Sequence, residues 1–322
     1  MLIEGPWDHK FVSANGARFH VAVAGEGPLV LLLHGFPQFW YAWRHQLVAL
    51  ADAGYQAAAV DLRGFGASDK PPKGYDIYTA SGDAAAVIRS LGAEEAVVVG
   101  HGLGGATAWA MPTLRPEVTR AIGALGMPHP IVAERACLFD SRQRAAAAYI
   151  ARMQVPFRSE RTLVESDEEV RGYLTGWAAP GGAFPAEEDV SRYAGALALP
   201  FVAHSAAEYY RWFGRNQLRW DGPALRRRLR RPIEVPVLRL HGELDGCFLE
   251  ASTRGSGRYV AGPLTERVVP EAGHFLAEES PEVVTDALVA WLATLPTAGP
   301  TTGPTTGPTA GPTTATGTGP TP

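Results

Sequence analysis

Two hydrophobic periodicities alternate along the chain. Leu29 to Leu33 is an unbroken apolar run with the pattern of a strand buried on both faces of a parallel sheet, and Gln56 to Val60, Ala96 to Val99 and Ala121 to Leu125 read as further strands. Between them, Trp40 to Ala51, Ser81 to Leu91 and Leu103 to Met111 carry apolar residues at helical spacing. Ahead of the first run, Phe11 to Ser13 and Arg18 to Ala24 flank Ala14-Asn15-Gly16-Ala17, and Asn-Gly between two such segments predicts a hairpin. From 130 to about 232 the pattern is helical only, with turns around Pro156, Pro180-Gly181-Gly182 and Pro185. Strands resume at Val235 to Leu240 and Thr265 to Val269, and a last helix is expected from Pro281 to about Leu295, with proline in its first turn.

This order predicts an α/β fold: a mostly parallel central sheet, helices on both faces, and an inserted helical cap over the carboxyl ends of the strands, where ligands bind. The expected division is a core of 1–129 and 233–295, a cap of 130–232, and a tail of 296–322. The tail is almost only Thr, Gly, Pro and Ala, offers nothing apolar to bury, and is expected to be disordered and without catalytic role.

Composition narrows the functional classes. At 322 residues and 46% apolar, the chain can bury a sizeable core, and its net charge of −4 gives no general argument for nucleic acid. Cys137 and Cys247 are too far apart in sequence to suggest a disulfide framework or a metal-ligand spacing. The first ten residues lack a signal-peptide pattern, and no apolar run is long enough for a bilayer, so a cytoplasmic protein without membrane contact is expected. The basic run Arg226 to Arg231 reads as a solvated face where cap meets core. Neither a cofactor nor a metal is expected, and a homodimer is left open.

Candidate chemistry gathers after the strands. Val97-Val98-Val99-Gly100-His101-Gly102-Leu103-Gly104-Gly105 has the shape of a strand turning sharply into a helix, the small-x-nucleophile-x-small elbow. Its central position is Gly102, which has no side chain to attack with. Asp245, in His241-Gly242-Glu243-Leu244-Asp245-Gly246, and His274, in Pro270-Glu271-Ala272-Gly273-His274-Phe275, each follow a strand, in the order elbow, Asp, His. An imidazole oriented by a carboxylate is a general base near neutral pH. Glu243 is a weaker candidate for that carboxylate, His101 is expected to be structural, and Cys247 has no paired base. The turn Leu33-His34-Gly35-Phe36-Pro37 can aim the Phe36 N–H inward, to form an oxyanion hole with the Leu103 N–H at the helix start.

His34-Gly35-Phe36-Pro37-Gln38-Phe39-Trp40-Tyr41-Ala42-Trp43-Arg44 resembles the HGFP…W…WR signature of epoxide hydrolases of the α/β-hydrolase fold, as does Asp61-Leu62-Arg63-Gly64-Phe65-Gly66-Ala67-Ser68-Asp69. The resemblance covers roughly residues 5 to 295. It implies two cap tyrosines that donate hydrogen bonds to the epoxide oxygen, and matches them to Tyr149, in the segment running to Pro156, and Tyr210, in Glu208-Tyr209-Tyr210-Arg211, with Tyr209 as the fallback. It implies an aspartate nucleophile at the elbow, an alkyl-enzyme ester, and water activated by the His274–Asp245 pair to hydrolyse it. It implies an apolar epoxide as the small-molecule partner, held by Phe36, Phe39, Trp40, Leu103, Met127, Met153 and Trp177, and opened to a vicinal diol.

Gly102 departs from that pattern by removing the covalent step. Three readings are open: an inactivated epoxide hydrolase; a divergent member that uses His274-activated water or closes a ring on an internal hydroxyl; or a binding protein that kept the pocket. A haloalkane-dehalogenase-like or esterase-like hydrolase is the remaining alternative, because HGxP alone is shared with such enzymes.

Overall fold

The computed structural model describes residues 1–216 and 222–296. Apart from Pro296, the Thr/Gly/Pro tail lies outside the described residues. Eight strands form one sheet: β1 (Asp8–Ala14), β2 (Ala17–Ala24), β3 (Leu29–Leu33), β4 (Gln56–Val60), β5 (Ala96–His101), β6 (Thr119–Leu125), β7 (Val237–Gly242) and β8 (Leu264–Val269). Their order is β1-β2-β4-β3-β5-β6-β7-β8. Pairing is antiparallel for β1 with β2 and for β2 with β4, and parallel from β4 through β8. Every residue of β3 and β5 is buried, as expected for central strands covered on both faces. Each fully buried Val or Leu there contributes roughly 1.5–3 kcal/mol.

The hairpin turn forms as expected, with Asn15 and Gly16 both at positive φ (45° and 74°). Local chemistry moves other boundaries. Trp40–Trp43 is a 3₁₀ turn, and α1 runs over Arg44–Asp52. Helix α2 covers Ile77–Ser90, four residues earlier than the apolar spacing suggested, because the Asp76 carboxylate accepts from the Tyr78 and Thr79 N–H groups and caps it. Strand β7 begins after Pro236, which has no N–H to give a ladder. The final helix ends at Leu292, not Leu295.

Helix α3 (Leu103–Leu114) leaves β5 through Gly102 and packs against β5 and β6. Any side chain on Gly104 would run into the Leu33 carbonyl, so glycine there lets α3 lie on β3. Between β6 and β7 the described residues form eight helices, from Pro130–Phe139 to Gly222–Leu229, making the cap. Among the described residues no helix is long and apolar enough to cross a membrane.

Candidate active site

Five parallel strands deliver their carboxyl ends to one place. β3 runs into His34-Gly35-Phe36, β5 into Gly102, β6 into Gly126-Met127, β7 into the Asp245 loop and β8 into the His274 loop. His34 ties the first loop down: its Nε2 accepts the Leu62 N–H (3.0 Å). The Phe36–Pro37 peptide is cis.

His274 Nδ1 lies 2.9 Å from Asp245 Oδ2, and both residues are 2% exposed. The other Asp245 oxygen accepts the Cys247 and Phe248 N–H groups, each at 2.8 Å. The carboxylate is thereby oriented from both sides. His241 stands behind it, with Nε2 2.7 Å from the Phe248 carbonyl and 3.6 Å from Asp245 Oδ2. His101 is fully buried and its pKa is held well below the ordinary value by desolvation. The neutral ring donates Nε2–H to the His274 carbonyl (2.8 Å), an anchoring contact. Glu243 is exposed, and its carboxylate accepts the Glu271 N–H (3.3 Å).

At Gly102 the backbone has φ +51° and ψ −113°, a left-handed turn that disfavours side chains. A Cβ built there would nonetheless have room, 3.4 Å from Gly35 Cα and 3.6 Å from His274 Nε2. The Phe36 and Leu103 N–H groups find no acceptor among the described residues.

Across from this point stand the two cap tyrosines, with ring centroids 5.2 Å apart. Burial raises the pKa of both phenols well above 10, so both remain protonated donors. Tyr149 Oη lies 3.6 Å from Cys247 Sγ, a thiol that burial likewise keeps protonated. Tyr209 turns away, its hydroxyl donating to the Arg63 carbonyl (3.2 Å), so Tyr210 is the residue of the pair that faces the cavity. Two contacts hold the helices Ala148–Met153 and Val202–Asn216 together: Gln154 donates to the Tyr210 carbonyl (2.9 Å), and Arg211 Nε donates to the Met153 carbonyl (2.9 Å).

A cavity of about 270 Å³ opens beside Gly102 and the two tyrosines. Phe36, Gly102, Leu103, Met127, Tyr149 and Tyr210 line it; His274 and Asp245 are not among its lining residues. Phe39, Trp40, Met153 and Trp177 do not line it either, and those four expectations are corrected. Phe39 stacks on Tyr41 and meets Tyr193 edge-on. Trp40 faces the other way, toward Trp7 and His20, with its indole N–H on the Met1 carbonyl. Met153 is buried between cap helices, and Trp177 packs on Tyr149 and on the His274 ring. The remaining wall is mostly apolar and was missed, with Ile131, Cys137, Trp212, Leu225, Leu229 and Phe248 on it. Ile131 and Leu138 sit seven apart on Pro130–Phe139, a spacing that marks one helix face but not what that face meets. Arg226 also reaches the wall and pairs with Glu134 (3.6 Å), whereas Arg227, Arg228, Arg230 and Arg231 are exposed.

Residues 30–287 match the alpha/beta hydrolase family. The AB hydrolase superfamily protein YfhM of Bacillus subtilis is 34% identical over 88% of this chain and 97% of its own length. Epoxide hydrolase A of Mycobacterium tuberculosis is 32% identical, over 89% and 97%. Among solved structures, an epoxide hydrolase from an endophytic Streptomyces superposes with a TM-score of 0.76 at 30% identity, over 90% of this chain and 96% of that one. The chain belongs to the alpha/beta hydrolase family, in its epoxide-hydrolase clade.

Proposed function

We propose that this protein opens an apolar epoxide to a vicinal diol, and that Gly102 stands where the clade's chemistry calls for a nucleophilic carboxylate. The observation that carries the reading is the facing arrangement. Two neutral phenols share an apolar cavity with Gly102, and the carboxylate-oriented imidazole reaches Gly102, its Nε2 3.6 Å from where a Cβ would lie. Tyr149 and Tyr210 would donate to the ring oxygen as its bond to carbon breaks, which favours a protonated phenol in a dry site. Met127 and Leu103 would hold the hydrocarbon, and the Phe36 and Leu103 N–H groups would receive negative charge on oxygen.

Without a side chain at 102, the chain's own route is attack by water on the epoxide carbon, with His274 taking the proton and Asp245 stabilising the imidazolium. The space between Gly102 and His274 Nε2 suits that reading. A free water lacks the positional advantage of a tethered carboxylate, a deficit of order several kcal/mol, so this route is slow. The division into core 1–129 with 233–295 and cap 130–232 follows from the same reading, with both phenols on the cap and the imidazole on the core.

The test is Gly102→Asp assayed beside the unmodified chain on an aryl or alkyl epoxide. Diol formation should rise by several orders of magnitude. A folded variant that yields no more diol than its parent would sink the assignment. For the unmodified chain without added carboxylate, a single turnover in oxygen-labelled water should place label directly in the diol, and His274→Ala should abolish it.

A further inference from the structure

We propose that the space beside Gly102 is a binding site for a one- or two-carbon carboxylate, formate or acetate, and that the bound carboxylate acts as an exchangeable nucleophile for epoxide opening. This rests on the epoxide-opening reading above and names the co-substrate of the same site. Room is the first argument. Among the described residues, the atoms near a Cβ built on Gly102 are at ordinary contact distance, 3.4 and 3.6 Å, and Gly102 itself lines the cavity. Charge is the second. The N–H groups of Phe36 and Leu103 have no acceptor among the described residues, and Leu103 opens a helix of 12 residues whose positive end points there. The third is His274, 2% exposed, with Nδ1 on Asp245 and Nε2 without a partner among the described residues and turned toward this space. Neither carboxylate described near this point opposes an anion there. Asp245 lies behind the imidazole with its Oδ1 taken by two backbone N–H groups, and Glu134, on the cavity wall, pairs with Arg226.

The chemistry closes. A carboxylate oxygen forms a bond to an epoxide carbon, and that carbon's bond to the ring oxygen breaks. The electron pair stays on the ring oxygen, which takes a proton from Tyr149 or Tyr210. The product is a 2-hydroxyalkyl ester. His274 then takes a proton from water, the hydroxide adds to the ester carbonyl, and its oxygen is met by the Phe36 and Leu103 N–H groups. Collapse expels the diol oxygen, which recovers the proton from His274. The carboxylic acid left behind returns its proton to the phenolate. Epoxide and water are consumed, diol is made, and the carboxylate emerges unchanged.

The experiment uses the unmodified full chain and an aryl epoxide, with formate or acetate titrated against sulfate at constant ionic strength. Diol formation should rise saturably, roughly tenfold or more, and with oxygen-labelled formate the diol should carry one formate oxygen, because the second step cleaves the acyl–oxygen bond. Butyrate should be a poorer substitute. In His274→Ala with acetate, 2-hydroxyalkyl acetate should accumulate in place of diol. A rate indifferent to carboxylate, or label arriving from water alone, overturns the proposal. If Gly102→Asp makes diol in that case, the epoxide-opening reading survives; if it folds and makes none, that reading falls too. Should that variant not fold, the His274 imidazole NMR signal of the unmodified chain decides. It should shift saturably with formate, and no shift overturns the site.

Discussion

A single backbone conformation links the chemistry of this site to its stability. Gly102 occupies φ +51°, where glycine is free of the strain that a side chain brings. Restoring aspartate should therefore pull in two directions: a large gain in diol formation and a stability loss of about 1–3 kcal/mol. Chemical denaturation of Gly102→Asp measures the second effect, and a variant as stable as its parent would show that the elbow is not strained. Gly102→Ala should share the loss without the gain. In the Gly102→Asp background, Tyr149→Phe and Tyr210→Phe should each lower kcat by roughly 10²–10³, the effect of removing one donor from developing charge. Binding of an apolar ligand should change little. Because burial holds both phenols well above 10, the donor form persists at alkaline pH. No loss of activity below about pH 10 should trace to them. An alkaline limb below that value that shifts in either Phe variant would contradict this.

Elements place these residues, and they differ in how plainly the chain announces them. The central strands were legible because their burial on both faces is written as unbroken apolar runs, a local signal. The His274 and Asp245 positions followed, since each lies just beyond a strand. Helix faces were less legible. Phe39 and Trp40 belong to the HGFP signature yet point into the core, because a 3₁₀ turn at Trp40–Trp43 rotates them away from the cavity. Tyr209 and Tyr210 could be told apart only once their helix was packed. That packing depends on Arg211, which is 5% exposed and pairs with Glu160 through Nη1 (2.7 Å) and Nη2 (3.0 Å) while Nε holds the Met153 carbonyl. Arg211→Leu should cost about 2 kcal/mol, since it removes the charge-assisted hydrogen bonds to Glu160, which keeps Ser159 (3.0 Å) and His204 (3.3 Å), and frees both phenol-bearing helices. Burial alone would raise the pKa of Glu160, but the Arg211 hydrogen bonds bring it down to about 2. A depressed folded pKa stabilises above the unfolded value, near 4.3, and that contribution is lost as pH falls toward 2. The stability difference between the unmodified chain and Glu160→Gln should thus be constant above about pH 5 and shrink below it. Denaturant titrations at several pH values would show this, and a difference independent of pH would refute it.

At the scale of the whole molecule, cap and core meet beside the imidazole, at a joint that no local pattern announces because its partners are a hundred residues apart. Glu279 makes it. One oxygen of its carboxylate accepts the Gly273 N–H of the His274 loop and the Ala179 N–H of the cap, each at 2.8 Å, and the other accepts the Phe275 N–H at 2.7 Å. The cap returns the contact, since the Trp177 carbonyl accepts the His274 N–H (2.9 Å). Next to it, the buried Glu278 receives the Tyr193 hydroxyl (2.7 Å) from the cap and Arg44 and Gln38 from the core. The loop that carries the base is thus held by the element that carries the phenols, and a displacement of the cap is felt at His274. Glu279→Ala leaves three partly buried N–H groups without their acceptor and should cost about 3 kcal/mol, at roughly 1 kcal/mol for each group stranded. Its signature is spatial. Amide hydrogen exchange should quicken at residues 177–180 and 273–276 while β3 and β5 keep their protection, because the joint opens locally before the sheet does. A uniform increase across the sheet would mean that Glu279 serves global stability alone, and that the cap does not help hold the base in place.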